Sequence, residues 1–172
     1  LLQMAFGGAS YSRLDVYLPP DVPIALELKI NKGAGEVEIG GLWLSEVMIE
    51  AGQGGFSLQL DEPLREPVDR FVVSGEMGGL DLSGLGFANP RVLDVSWRMG
   101  GASVSLDGDW TVDCDASFAV DMGGMALMIP RDVTVENITD GPAVLDDPSE
   151  VSLPVVRLRT SQKRGEIDVI RR

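Results

Sequence analysis

The chain has no histidine and a single cysteine, Cys114, among its 172 residues. Without histidine, one thiol cannot complete any of the usual zinc ligand sets. The same absence removes Ser–His–Asp and Cys–His nucleophilic machinery. One thiol cannot close an internal disulfide either, so the redox compartment is not legible from cysteine. Bases are scarce too: 14 against 27 acids, for a net charge of −13. Such a body repels a phosphate backbone or an anionic lipid surface, so nucleic acid is not an expected partner. No apolar run approaches the roughly 20 residues that a membrane-spanning helix needs. The chain is therefore expected to be soluble as it stands and to meet a membrane only through a tether outside it. It opens on LLQMAFGGAS without an initiator methionine. Upstream processing is expected, of a kind that would remove a signal peptide or anchor.

What is present is a repeat. Hydrophobic residues make up 44% of a chain long enough for one domain with a substantial core. Glycine pairs recur, and the last glycine of each motif falls at Gly8, Gly35, Gly55, Gly79, Gly101, Gly124 and Gly165. The gaps are 27, 20, 24, 22, 23 and 41 residues. After the glycines come short alternating runs: EVEI (36–39), FSLQL (56–60), LDL (80–82), ASVSL (102–106), MALMI (125–129) and EIDVI (166–170). Before most of them stand IALELKI (24–30), EVMIEA (46–51), RFVVS (70–74), VLDVSW (92–97), ASFAV (116–120) and VVRLR (155–159). Period-two alternation of this kind marks half-buried strands. The nearest thing to a helix, LWLSEVMIEAG at 42–52, has no convincing cap and reads as a strand.

A strand, glycine turn and strand in about 22 residues cannot cover its own apolar face, but stacked units can. Leu26, Leu28 and Ile30 would continue into Val47 and Ile49, then Leu93 and Val95, then Phe118 and Val120. The expected fold is all-β: a β-solenoid of roughly 20–24-residue coils, with a β-sandwich as the alternative. Glycines 35, 55, 79, 101, 124 and 165 are expected to be structural turn residues that supply positive φ. The expected domain is single, 1–172, with a polar, turn-rich loop at 137–154 that fills the longest gap.

These units resemble the bacterial toastrack or LiaF-like domains, which include the C-terminal domain of cell-wall-active antibiotic response proteins and many putative adhesin domains. The marks are VPIALELKINKGAGEVEIGGLWLSEVMIEAGQGGFSLQL at 22–60, GGASVSL at 100–106 and MGGMALMIPRDVTVE at 122–136. The resemblance spans roughly 14–170 and implies a right-handed single-stranded β-helix, often tethered to a membrane helix. It further implies envelope stress sensing or scaffolding, and it carries no catalytic motif. GAG occurs once in full here; elsewhere GQGG or MGG replaces it.

Candidate chemistry is thin. The acidic stretch LDGDWTVDCDASFAVD (106–121) fails as a calcium loop. From Asp107, Thr111 and Val112 stand where an acidic or amide ligand and then glycine belong. Neither metal nor cofactor is expected. Asp81, Asp94, Asp107 and Asp109 could serve a polysaccharide-degrading enzyme if they lined one face, but residues 76–121 hold only Arg91 and Arg98 to stabilise developing charge. Phosphate-cradle glycine motifs are missing. Trp97 alternates with Val95 on the inward side, whereas Trp43 and Trp110 stand beside turns, where they either pack over the coil ends or, if exposed, stack on sugars. Asn137-Ile138-Thr139 is a glycosylation sequon by pattern only. Cys114 lies between carboxylates, which raise rather than lower a thiol pKa.

The last sixteen residues differ from the rest. Arg157, Arg159, Lys163, Arg164, Arg171 and Arg172 face only Glu166 and Asp168, a surplus of +4 that leaves −17 elsewhere. A solenoid must end, and an uncapped end exposes apolar side chains and unpaired strand edge. These six residues either form an interaction surface, for a protein partner or for self-association through the C-terminal coil, or only discourage edge-to-edge aggregation, as charged strand edges do. The leading expectation is a non-catalytic, extracytoplasmic interaction or scaffolding domain of a bacterial envelope protein, in the periplasm or at the cell surface. The cytoplasmic face of a tethered protein is the other location. A carbohydrate-binding or adhesin module, with a cell-envelope glycan as partner, is the first rival, and a β-helix polysaccharide-degrading enzyme the second.

Overall fold

A computed structural model of the chain describes residues 2–7, 12–16, 18–19, 21–137 and 153–172. The turn expected at Gly8, the sequon residues Ile138 and Thr139, and positions 138–152 of the expected loop lie outside the described residues. The elements in order are β1 (Leu2–Gly7), β2 (Ser12–Val16), β3 (Ile24–Lys32), β4 (Ala34–Glu38), β5 (Leu44–Gln59) and β6 (Arg70–Ser83). A 3-10 turn follows at Leu85–Ala88, then β7 (Val92–Ser105), β8 (Cys114–Ile129), β9 (Thr134–Asn137) and β10 (Val155–Arg171).

The fold is an all-β solenoid whose parallel coils stack about every 23 residues. Val47, Phe71, Leu93, Ala116 and Leu158 occupy one register position. Ile49, Val73, Val95 and Phe118 occupy the inward position two residues on. All of these side chains are buried. Full burial of such a side chain stabilises by roughly 1.5–3 kcal/mol, and no coil could achieve it without neighbours on either side. Between Val47, Phe71, Leu93 and Ala116 the steps are 24, 22 and 23 residues.

The paired short runs are not separate strands. EVMIEA and FSLQL are both parts of β5, and the pairs in β6, β7, β8 and β10 are joined in the same way. Each strand bends at its glycines into a first and a second limb. Only β3 and β4, the two limbs of the lowest coil, are broken apart, at Gly33. LWLSEVMIEAG enters β5 as strand, as its lack of a cap implied.

Two features at the ends were not legible in the repeat. At the start, β1 pairs antiparallel with both β2 and β4, adding two strands to the second limb. At the other end, β10 pairs in parallel with β8, from Val156 opposite Cys114 to Arg171 opposite Ile129. It thus occupies the place next to β8, and β9 pairs with its far edge over Val155–Leu158. The 41-residue gap between glycine motifs arises because β9 and the segment after it intervene before the next coil.

The remaining side of each coil is closed by turns. Leu64, Val68, Leu85, Ala88, Trp110 and Val133 are buried there. Asn89, at φ 46°, ends the 3-10 turn in the left-handed region that asparagine tolerates. Its side chain donates to the Asp109 carbonyl at 2.8 Å and accepts from the Thr111 N–H at 2.6 Å, tying one turn to the next.

Candidate interaction surfaces

In four coils the corner is built by a glycine one position before the one the repeat singled out; in the lowest coil it is Gly33, two positions before Gly35, and in the last coil Gly165 itself lies opposite Gly123. Gly78 and Gly100 have φ of 131° and 124°, and Gly33, Gly54 and Gly123 share this positive-φ column. A Cβ on Gly100 would run into the carbonyl of Gly78 directly below it, and one on Gly78 into that of Gly54. Close backbone stacking and left-handed torsion both require glycine here. Gly55, Gly79, Gly101 and Gly124 do not have positive φ, and nothing lies within 4 Å of a Cβ built on any of them. Gly35 and Gly165 are not at positive φ either, although both are crowded: by Ile30 at Gly35, and by Val120 and Gly123 at Gly165. The expectation that these six supply positive φ is corrected. At Gly55, Gly79, Gly101 and Gly124 the positive φ belongs to the glycine just before, whereas Gly35 and Gly165 have no adjacent residue at positive φ.

The open space above Gly55, Gly79, Gly101 and Gly124 forms a groove of about 920 Å³ that crosses the coils. Ser57, Asp81, Ser103, Ala126 and Asp168, in register from coil to coil, project along it. Glu36 and Glu166 lie at its two ends, and among the described residues no lysine or arginine lines it. Asp81 and Asp168 stand three strand spacings apart, about 14 Å, beyond the range of a carboxylate pair that works on one glycosidic bond.

The four aspartates do not share a face. Asp81 borders the groove, while Asp94 lies on the first limb with Arg70 at 3.2 Å. Asp107 takes a hydrogen bond from the buried Ser105 hydroxyl, and Asp109 belongs to the turn held by Asn89. No group of three or more metal-ligating side chains occurs among the described residues. The tryptophans form no exposed row. Trp97 is core, as its alternation indicated, and Trp43 is half-buried. Trp110 is buried, not exposed, and its Nε1 donates to the Leu106 carbonyl at 2.7 Å. Cys114 is buried as well. Burial pushes its thiol up to about 12, and the charges of Asp115 and Asp94 add to that.

The six C-terminal bases are deployed unequally. Val156 and Leu158 are buried and Arg157 and Arg159 turn outward, as strand alternation required. Arg157, however, is held within the chain. Its Nη2 lies 3.2 Å from Asp113, its Nη1 3.6 Å from Asp115 and its Nε 3.6 Å from Glu136 of β9. Lys163 reaches Asp121 at 3.4 Å, and Arg171 donates through Nη2 to the Val133 carbonyl at 2.9 Å. Among the described residues, Arg159, Arg164 and Arg172 have no ion-pair partner.

The last coil is half covered. β9 pairs with Val155–Leu158 and so covers the first limb of this coil. From Arg159 to Arg171 no strand among the described residues pairs with the outer edge of β10. Val169 and Ile170 are 46% and 43% exposed there, whereas Leu127, which lies opposite Val169 on β8, is fully buried. At the other end β3 likewise lacks an outer partner among the described residues, and Leu26 and Leu28 are only half-buried. No helix among the described residues is long and apolar enough to cross a membrane. Compared with family models, with curated proteins and with solved structures, the chain matches none.

Proposed function

We propose that the chain is a non-catalytic interaction or scaffolding domain of a bacterial envelope protein, and that it docks through its C-terminal coil. The observation that carries this reading is the outer edge of β10. It combines strand backbone without a strand partner among the described residues, the exposed Val169 and Ile170, and Arg159, Arg164 and Arg172, which have no ion-pair partner among those residues, on a strongly acidic body. An edge of this composition favours a partner that can supply a strand and negative charge together. The envelope setting rests on the resemblance of the glycine-corner repeats to toastrack or LiaF-like domains, and with it an extracytoplasmic site and a part in envelope stress sensing.

A photoreactive amino acid placed at Arg164, in the bacterium that carries the protein, tests the docking. A discrete adduct is expected at Arg164 and none at Met77, which is exposed in the same register column on β6, three strands away. No adduct at Arg164, or equal adducts at both positions, overturns docking through this coil. Added protease tests the compartment, since an extracytoplasmic chain is cleaved in intact spheroplasts and a cytoplasmic one is not.

A further inference from the structure

We infer that the partner of the C-terminal coil is a second copy of this chain, added head to tail so that β2 of one copy extends the sheet beyond β10 of the next. The inference rests on the proposed docking through that coil and names its occupant. The second-limb sheet runs β2-β1-β4-β5-β6-β7-β8-β10, and both of its outer edges are without a strand partner among the described residues. β2 is antiparallel to β1, which is antiparallel to β4, so β2 runs in the same direction as β10. Moving a copy along the solenoid axis therefore brings β2 onto β10 in parallel, the polarity of every coil-to-coil pair in the fold. No strand has to turn round.

The ends are stepped in matching senses. At the first end β1 and β2 carry the second limb two strands beyond β3. At the last end β9 carries the first limb one strand beyond β10, and the second limb is set back. The projecting limb of one copy meets the recessed limb of the next, and β9 and β3 are left one strand short of contact. The junction consequently rests on the second limb, where Ile167 and Val169 lack cover.

Charge agrees with this direction of stacking. The last sixteen residues carry +4, while residues 1–38 hold five acids and three bases. Opposite net charge at the two ends favours end-to-end docking over two like ends meeting, and salt weakens it. A heterologous contact of this kind does not close on itself, so copies add in an open row and do not stop at a dimer.

Backbone polarity supplies a selective block. The Arg172 N–H points back to the Ile129 carbonyl of β8, while the Ile167 N–H faces the outer edge, where the Gln162 side chain accepts it at 3.2 Å. Alternation in a parallel ladder puts the Val169 N–H on that same outer side. Val169→Pro thus removes an edge donor without breaking a bond to β8, a setting in which a strand tolerates proline.

Sedimentation velocity of the full chain over a range of concentrations is the test. The parent is expected to grow in mass with concentration at low salt and to dissociate at high salt. Val169→Pro is expected to stay monomeric with an unchanged melting temperature. If that variant melts early, Arg159→Glu/Arg164→Glu, which leaves the ladder intact, takes its place. On a Cys114→Ser background, a copy carrying Arg13→Cys mixed with one carrying Asp168→Cys should give a mixed adduct with a short bismaleimide. A parent monomeric under all conditions, mass that stops at a dimer, or Asp168→Cys copies that link mainly to each other would each overturn the inference. An Arg164 adduct in cells beside a purely monomeric parent would leave docking in place and refute only the second copy as its occupant.

Discussion

Trp97 stands directly above Gly75, its indole filling the space that a side chain on Gly75 would occupy. The ring Nε1 donates to the Gly78 carbonyl at 3.1 Å, so the indole is anchored to the corner of the coil below. Even one carbon on Gly75 has to displace a buried, hydrogen-bonded ring. We expect Gly75→Ala to cost on the order of 1–3 kcal/mol through overpacking. Gly75→Ala combined with Trp97→Phe should recover part of that loss. Thermal unfolding of the two variants decides it: additive losses would show that the glycine and the ring do not share the space.

The two glycines of each corner should behave as opposites. Gly100→Ala and Gly123→Ala place a Cβ against the carbonyl of the coil below while holding a positive φ. A loss of about 1–2 kcal/mol or more is expected at each from the torsion alone. Gly101→Ala and Gly124→Ala add a methyl to open space without a positive φ, and should melt within a degree or two of the parent. Equal melting temperatures across the four variants would refute the positive-φ column.

That pair also shows what the sequence could and could not reveal. Spacing and alternation were enough to indicate coils, inward columns and the core position of Trp97, because each depends on local periodicity. Which glycine of a pair carries the strained torsion depends on the carbonyl of another coil, and one strand's sequence does not contain it. The sequence leaves Trp110 open between packing and exposure for a similar reason: its indole is buried against Gly86, in the 3-10 turn of the preceding coil. The cap of β10 by β9 required skipping a coil position, which no repeat period encodes. The basic C-terminal segment was visible as composition. That Arg157 is committed while Arg159 and Arg164 have no ion-pair partner among the described residues follows only from the carboxylates the fold sets beside Arg157.

Cys114 should be silent to thiol reagents until the chain unfolds. With the thiol pushed up to about 12, chiefly by burial, the thiolate fraction at pH 8 is on the order of 10⁻⁴. The folded pKa lies above the usual thiol value, so the group favours the folded state while it stays protonated. That contribution is present below the ordinary thiol pKa and is lost as pH rises from there toward about 12. Ellman's reagent at pH 8 should give no fast colour in buffer and one equivalent in denaturant. Rapid, stoichiometric reaction of the native chain would contradict the burial.

Arg157 and Arg159 are two outward arginines of one strand, and the same substitution should separate them. Arg157 lies among Asp113, Asp115 and Glu136, so it joins β10 to the strand below, to the turn before it and to β9 above. Single exposed ion pairs contribute little, but reversal of this charge sets four carboxylates against one another across three strands. Arg157→Glu should lower the melting temperature, more at low salt than at high salt, since salt screens the repulsion. Arg159→Glu, with no ion-pair partner among the described residues, should leave it unchanged. Melting curves of both variants at two salt concentrations give the comparison. If Arg157→Glu melts with the parent, the cluster does not hold β9 to β10, and the first limb of the last coil is capped by backbone pairing alone.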